Sequence, residues 1–248
     1  MTTLIACSHG TSSPAGRTVI SHLRAALGAM VPEARVREAY VDVQHPEVAD
    51  VVAEAAARGE VVVVPLLLST GFHTNVDIAA AVAPHPGAVA ADPLGPHPLL
   101  VRALRERLAS VSGGDAGHRP GDHVVLAAAG STDPAAAQSV KRMRDLLAAQ
   151  MPAPVSVGYG AGCGPTLPEA VTAARRAGAR RVIAASYVLA PGHFAGLVER
   201  SGADLVSAPL GAHPAVVAVA AARWREACLD LGRAGQGRGA AAPFLSSV

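Results

Sequence analysis

An internal repeat constrains the fold of this chain more than any other feature of its sequence. Residues 4–14 read LIACSHGTSSP, and residues 124–134 read VVLAAAGSTDP. Aligning the two segments pairs Gly10 with Gly130 and preserves a small polar loop followed by proline. Self-similarity of this kind indicates a structural unit that occurs more than once.

Two further landmarks follow in the same order. The offset that aligns the first segments also pairs His73 with His193. At a slightly shorter offset, Pro93–Pro98 (PLGPHP) matches Pro209–Pro214 (PLGAHP). We therefore predict that the 248 residues form two copies of one module.

Each copy alternates apolar strands with helices. The predicted strands are Thr3–Cys7, Val36–Val41 and Val61–Leu67 in the first copy, and His123–Ala128, Val155–Tyr159 and Arg181–Leu189 in the second. Continuous β-branched strands between helices favour parallel sheets that are covered on both faces. The predicted fold class is α/β, with two similar lobes that each contain a parallel sheet flanked by helices.

The repeat also predicts the domain boundaries. We expect an N-terminal lobe over residues 1–112, a linker rich in Gly, Ser and Asp over 113–122, and a C-terminal lobe over 123–232. Residues 233–248 are rich in Gly and Ala, and we expect them to form a flexible tail.

Composition excludes several classes of function. Hydrophobic residues make up 50% of the chain, but no apolar run approaches the ~18 residues of a membrane-spanning helix. Aromatic residues make up 3%, the net charge is +2 and Lys141 is the only lysine, so we expect no nucleic-acid partner.

The N-terminus and the cysteines indicate a cytoplasmic protein. The first residues lack the basic segment of a signal peptide. Cys7, Cys163 and Cys228 are widely spaced and form no CxxC pair, which argues against a disulfide framework or a cysteine zinc site.

Reactive side chains follow three predicted strands of the first copy. His9 follows the first strand, Asp42 follows the second, and His73 lies in the loop after the third. The carboxyl ends of parallel strands form the ligand-binding edge of a sheet. Two imidazoles and a carboxylate at this edge suit a divalent metal such as Fe²⁺, Co²⁺, Ni²⁺ or Zn²⁺, and imidazole also accepts protons near neutral pH.

Other interpretations of the histidines stay open at this stage. They can be hydrogen-bonding loop residues of a purely structural α/β domain. His97 and His213 occur in both copies within Gly-x-His-Pro segments, so a shared structural role is expected for them. The loop Gly10–Ser13 precedes a helix, and its N–H groups are candidates for holding an anion.

Three segments resemble a known family. Ser8–Thr11 (SHGT), Pro65–His73 (PLLLSTGFH) and the nearby Asp77-Ile78 resemble the class II tetrapyrrole chelatases, and among them the sirohydrochlorin chelatases most closely. The resemblance covers both halves, roughly residues 3–230. It implies a two-lobed fold whose lobes face each other across a cleft. It also implies ATP-independent insertion of Fe²⁺ for sirohaem or Co²⁺ for cobalamin, with no cofactor beyond that substrate metal.

The resemblance implies roles for individual residues. His9 and His73 match the two metal-binding and catalytic histidines of the family, and Asp42 lies where relatives carry a glutamate. Relatives often have an arginine just after the His-Gly loop, where this chain has Ser12 and Ser13. Arg17 is the candidate replacement for this arginine.

The second copy departs from the pattern. Ala129 replaces the first histidine, Gly160 or Ala161 replaces the acid, and only His193 remains. We therefore expect one active site in the N-terminal lobe, with the C-terminal lobe as its other wall. The residues expected to contact the substrate are Thr11, Ser12, Ser13, Arg17, Thr70, Gly71, Thr74 and His193.

The expected reaction is insertion of a divalent metal into sirohydrochlorin. Fe²⁺ is favoured because the need for sirohaem is widespread, and Co²⁺ comes next. The alternative is a protein that binds or carries the metal or the tetrapyrrole without catalysis. We expect a monomer, with a homodimer as the alternative, because the duplication supplies both walls of the cleft within one chain.

Overall fold

The computed structural model of the chain describes residues 1–69, 71–113, 118–162 and 164–239, and it leaves out the side chains of residues 72–75 and 234–239. The described residues form two parallel sheets of four strands each, with strand orders β2-β1-β3-β4 and β6-β5-β7-β8. The strands are β1 (Thr3–Ser8), β2 (Arg35–Tyr40), β3 (Val61–Pro65), β4 (Ala88–Ala90), β5 (Asp122–Ala128), β6 (Val155–Tyr159), β7 (Arg181–Tyr187) and β8 (Leu205–Val206).

Helices connect successive strands on both faces of each sheet. They are α1 (Pro14–Met30), α2 (Val48–Ala56), α3 (Phe72–Val82), α4 (Pro98–Ser112), α5 (Pro134–Ala148), α6 (Leu167–Arg176), α7 (His193–Glu199) and α8 (Pro214–Gly239). This order confirms the predicted α/β class and its two similar halves. The strands β4 and β8 were not predicted, because three and two residues are too short to show an apolar pattern.

Local sequence explains where the main helices begin. Pro14 and Pro134 occupy the first turns of α1 and α5, where a missing N–H group is tolerated. Ser13 caps α1 by accepting a hydrogen bond from the N–H of Gly16, and Asp133 caps α5 in a similar way.

The two histidines of the Gly-x-His-Pro segments also cap helices. The ring Nδ1 of His97 accepts a hydrogen bond from the N–H of Leu99 at the start of α4. The Nδ1 of His213 accepts one from the N–H of Ala215 at the start of α8. The shared structural role that the sequence predicted is therefore confirmed.

The last helix of each half packs on the sheet of the other half. Helix α4 contacts β7, β8 and α5, whereas α8 contacts β3, β4 and α1, and the two helices also contact each other. Each half therefore depends on the other to cover one face of its sheet.

Alternate strand residues divide between a shared core and an outer core. Leu4 and Val62 of the first sheet, and Leu126 of the second, belong to one continuous core that spans both halves. Ile5 and Val63 point to the other face, where α2 and α3 cover them. Covering on both faces accounts for the high hydrophobic fraction. Among the described residues, no helix has the length and apolarity that a membrane span requires.

Two elements extend past the domain boundaries expected from the sequence. Strand β5 begins at Asp122, the last residue assigned to the linker. Helix α8 continues to Gly239, so residues 233–239 of the expected tail are helical, whereas residues 240–248 lie outside the described residues.

Candidate active site

A pocket of about 380 Å³ lies at the carboxyl ends of strands from both sheets. Its volume lies within the range of small-molecule binding sites. One wall comes from the first half and includes His9, Gly10, Thr11, Ser12, Leu66 and Leu68. The other wall comes from the second half and includes Ala129, Tyr187, Leu189, Pro191, His193 and Phe194.

Close packing of the backbone between the loops after β1 and β2 places His9 at the wall of the pocket. Gly10 has a φ of +98°, and a Cβ atom there would clash with the carbonyl oxygen of Asp42. The N–H of Asp42 donates a hydrogen bond of 2.9 Å to the carbonyl of His9. The loops after β1 and β2 are therefore held together, which brings the first two predicted metal ligands to one place at the backbone level.

The carboxylate of Asp42 is engaged in its own loop. It accepts a hydrogen bond of 2.7 Å from the N–H of Val43. Val43, which has a φ of 64°, lines the pocket, whereas Asp42, its neighbour in the same loop, is not among the described lining residues. The side chains of His9 and Asp42 are both exposed, so a metal has access to them from solvent.

Two of the N–H groups proposed to hold an anion already have partners. The N–H of Thr11 donates to Gln44 Oε1 at 2.9 Å, and the N–H of Ser13 donates to Thr11 Oγ1 at 3.1 Å. Arg17 folds back onto this loop, with its Nε donating to the carbonyl of Thr11 at 3.0 Å. Thr11 and Ser12 line the pocket, whereas Ser13 has the separate role of capping α1.

The third predicted ligand lies in the first turn of α3. Gly71 is the N-cap of this helix, and His73 and Thr74 follow it. Thr70 and the side chains of His73 and Thr74 lie outside the described residues. Among the side chains that are described, no three His, Cys, Asp or Glu residues form a metal-binding group.

The structure corrects the pairing of His73 with His193. Thr3 pairs with Val61 in the first sheet, and its counterpart His123 pairs with Val182 in the second. The third strand of the second copy is therefore displaced by one residue relative to the first strand. The N-cap glycines of α3 and α7, Gly71 and Gly192, lie at this displaced offset.

This register changes the counterparts of the two histidines. His193 is the first residue of α7 and corresponds to Phe72, whereas Phe194 corresponds to His73. The predicted pairing was wrong because it counted residues from the first strand and missed the one-residue shift.

The second half therefore has an apolar residue at every predicted ligand position. Ala129 corresponds to His9, and the N–H of Ala161 donates to its carbonyl at 2.9 Å as Asp42 does to that of His9. Ala161, not Gly160, is thus the counterpart of the acid, and Phe194 is the counterpart of His73. The second half keeps the loop geometry without the metal ligands.

His193 is an additional histidine of the pocket. It is exposed, and its ring meets the ring of Phe194 edge-on, with centroids 5.2 Å apart and an interplanar angle of 77°. Among the described residues, its ring nitrogens make no hydrogen bond. Histidines from opposite halves, His9 and His193, therefore line one pocket.

Sequence reasoning missed two residues of the second wall. Tyr187 ends β7, and its buried hydroxyl donates to the carbonyl of Leu68 across the two halves at 2.9 Å. Phe194 was overlooked because the histidines were aligned. An alignment of residues 71–73 (GFH) with residues 192–194 (GHF) on the glycine that caps each helix identifies Phe194 as the counterpart of His73.

Cys7 takes no part in the pocket chemistry. It is fully buried, and this burial raises the pKa of its thiol to about 12. The protonated thiol is a poor nucleophile and metal ligand, so Cys7 serves as a small residue of the core.

A family model identifies the chain. The CbiX model matches residues 3–111 and again residues 123–227, once for each half. The chain belongs to the CbiX family. The double match agrees with the internal repeat and with the resemblance found in the sequence.

Solved structures with the same fold support this assignment. SirB from Bacillus subtilis with Fe³⁺ superposes with a TM-score of 0.74 at 21% identity, covering 91% of this chain and 94% of that one. The sirohydrochlorin chelatase SirB from Bacillus subtilis subspecies spizizenii, in complex with cobalt, gives 0.72 at 21% identity, with coverages of 92% and 96%. CbiX, described as the terminal enzyme of sirohaem biosynthesis in denitrifying bacteria, gives 0.64 at 21% identity, with coverages of 91% and 99%. No curated protein sequence matches the chain.

Proposed function

We propose that this CbiX-family protein inserts a divalent metal into sirohydrochlorin without ATP, for the synthesis of sirohaem or cobalamin. The observation that carries the proposal is the pocket between the halves, with His9 on one wall and a mainly apolar surface around His193 on the other. Similar structures described as sirohydrochlorin chelatases, or as holding iron or cobalt, support the same reaction.

The mainly apolar lining of the pocket suits an aromatic macrocycle. Its apolar residues include Leu66, Leu68, Leu189 and Phe194, which favour contact with an aromatic ring system. Among the described residues, the lining contains no carboxylate, lysine or arginine. A macrocycle is therefore held by apolar contact, and its carboxylates extend toward the mouth of the pocket.

We assign the metal to His9, Asp42 and His73. His9 and Asp42 lie on loops that the backbone holds together, and His73 lies on α3, which follows β3 beside the same loops. A site with three protein ligands leaves coordination positions open for pyrrole nitrogens. Release to the macrocycle also requires weak binding, which suits an acid that is partly engaged by its own loop.

We assign the substrate carboxylates to polar groups around the first wall. Ser12 and Thr11 line the pocket, and the guanidinium of Arg17 lies against the carbonyl of Thr11. Arg17 is exposed and uses Nε for this bond, so we assign a substrate carboxylate to its terminal nitrogens. The remaining proposed contacts are Ser13, Thr70, Gly71 and Thr74.

We propose Fe²⁺ as the preferred metal and Co²⁺ as the second. Imidazole and carboxylate ligands accept both ions. Similar structures are described with iron and with cobalt, which agrees with a donor set of low selectivity. A competition assay with both ions under anaerobic conditions measures the preference directly.

The test is the rate of metal insertion into sirohydrochlorin, followed by absorbance without ATP. We expect the wild-type chain to exceed the spontaneous reaction, and the variants His9→Ala and His73→Ala to lose at least about 100-fold. His22→Ala is the matched control, because His22 is an exposed residue of α1 outside the pocket lining.

The same assay separates the enzyme from a carrier. Quenching of sirohydrochlorin fluorescence without acceleration of insertion would support the carrier and overturn the proposal. Wild-type rates in both histidine variants would overturn the assignment of the site. We propose that the protein acts as a monomer in the cytoplasm, which light scattering and cell fractionation test independently.

A further inference from the structure

The second wall contains a histidine whose position does not derive from a metal ligand. The three counterparts of the proposed ligands are Ala129, Ala161 and Phe194, none of which coordinates a metal through its side chain. His193 corresponds instead to Phe72. Its imidazole is therefore an addition to the pocket and needs a separate explanation.

The two walls face the pocket from different halves of the chain. His9 belongs to the loop after β1, and His193 follows the loop after β7. The two loops lie close together: a Cβ atom added to Gly192 in the second loop would be 3.4 Å from Thr11 Oγ1 in the first. A flat macrocycle held between the walls would present one face to the wall of His9 and the other to the wall of His193.

Metal insertion releases two pyrrolic protons. A dication approaching one face of the ring repels protons from that face, so the protons leave through the opposite face. Imidazole exchanges protons with water near neutral pH, which makes histidine a common general base. The ring of His193 is exposed at the pocket and makes no hydrogen bond among the described residues, which leaves it accessible to a bound macrocycle.

We propose that His193 is the proton acceptor on the face of the macrocycle opposite the metal, an inference that rests on the proposed chelatase function. Two N–H bonds break and two additional metal–nitrogen bonds form, while the metal stays divalent and gives up its water and protein ligands. His193 accepts each proton in turn and releases it to water. Phe194 packs edge-on against the imidazole and limits its orientations.

Among the described residues of this wall, there is no other candidate for this step. The side chains beside His193 in the pocket are those of Leu189, Ala190, Pro191 and Phe194, which carry no titratable group. Tyr187 also lines the pocket, but its hydroxyl already donates to Leu68, and burial raises its pKa above the ordinary value. His193 is thus the one imidazole that this part of the described structure offers to the second face.

The experiment uses the full chain with sirohydrochlorin and Co²⁺, both at saturation. We expect His193→Ala and His193→Gln to lower kcat by about 100-fold while the Kd for sirohydrochlorin, measured by fluorescence quenching, changes little. Free imidazole should restore part of the rate in His193→Ala, which has room for it, and not in His193→Gln. Phe194→Leu is the matched control on the same wall, and we expect a higher KM for the macrocycle with no response to imidazole.

The outcomes distinguish this inference from the function on which it rests. Wild-type kcat in both His193 variants, in a chain that accelerates insertion, would overturn the base while leaving the chelatase intact. Loss of rate explained by weaker macrocycle binding alone would also overturn it. A wild-type chain that does not accelerate insertion would overturn both proposals.

Discussion

The hydroxyl of Tyr187 donates a hydrogen bond of 2.9 Å to the main-chain carbonyl of Leu68. Tyr187 ends β7 in the second half, and Leu68 follows β3 in the first, so this bond joins the two walls within the pocket. Burial raises the pKa of Tyr187, which keeps the hydroxyl protonated as a donor. The distance between the walls therefore depends on a buried polar contact as well as on apolar packing.

Tyr187→Phe should lower the free energy of unfolding by about 1–2 kcal/mol, because the carbonyl of Leu68 loses its buried donor. Urea unfolding followed by circular dichroism measures this change. Tyr40→Phe is the control, because its hydroxyl bonds Glu38, whose carboxylate is 42% exposed and can bond water instead. An equal loss in both variants would contradict a special role for the Tyr187 bond.

Gly95→Ala should disturb the same contact by steric overlap. A Cβ atom at Gly95 would clash with the Tyr187 hydroxyl and with the carbonyl of Leu68. We expect a loss of about 1–3 kcal/mol in the free energy of unfolding, together with slower metal insertion. Gly87→Ala is the matched control, because its Cβ would meet nothing within 4 Å. Unchanged stability in Gly95→Ala would show that the walls can move apart freely.

The strands and the loop chemistry of the first half could be predicted from sequence because both depend on local patterns. The apolar run Val61–Val64 marks a buried strand, and Gly10 marks a loop that tolerates no side chain. The repeat then extended these predictions to the second half. The displaced register of β7 could not be seen in this way, because a one-residue shift leaves the apolar pattern of a strand buried on both faces unchanged.

Helices α4 and α8 each pack on the sheet of the other half, and this exchange could not be predicted from the sequence. Leu104 in α4 and Trp224 in α8 indicate buried helix faces, but an apolar face does not specify which sheet will cover it. The role of Val43 at the pocket, next to Asp42, depends on side-chain direction in a turn. These features depend on tertiary contacts between segments far apart in the chain.

A buried ion pair predicts how stability depends on pH. Asp122 begins β5, and its carboxylate accepts hydrogen bonds from Arg181 Nε at 2.9 Å and from the N–H of Arg119 at 2.7 Å. The bond from Arg181 holds the pKa of Asp122 below its usual value. The ionised carboxylate therefore stabilises the fold above its unfolded pKa of about 3.9, and this contribution is lost as the pH falls through the lower folded pKa.

Asp122→Asn should lower the free energy of unfolding by about 3 kcal/mol at pH 7, because the buried carboxylate that accepts two charged hydrogen bonds from Arg181 is lost. The difference from wild type should shrink as the pH falls below about 4, because the carboxylate of the unfolded chain becomes protonated there, and it should vanish below the lower folded pKa. Urea unfolding of wild type and variant at pH 7 and below pH 4 measures this difference in the free energy of unfolding. Asp230→Asn is the control, because Asp230 and Arg233 form an exposed pair. A difference that is independent of pH would contradict the assignment to ionisation.

The exchanged helices predict that the halves fold only together. Without the second half, α4 exposes Leu100, Leu104 and Leu108, and β3 lacks the cover of α8. Fragments 1–113 and 118–248 expressed separately should be aggregated or unfolded, whereas their co-expression should give a 1:1 complex with metal-insertion activity, measured by size-exclusion chromatography and the absorbance assay. Leu104→Glu in the first fragment should prevent the association, because it places a charge in the shared core. Cooperative unfolding of either fragment alone would show that its sheet does not need the helix from the other half.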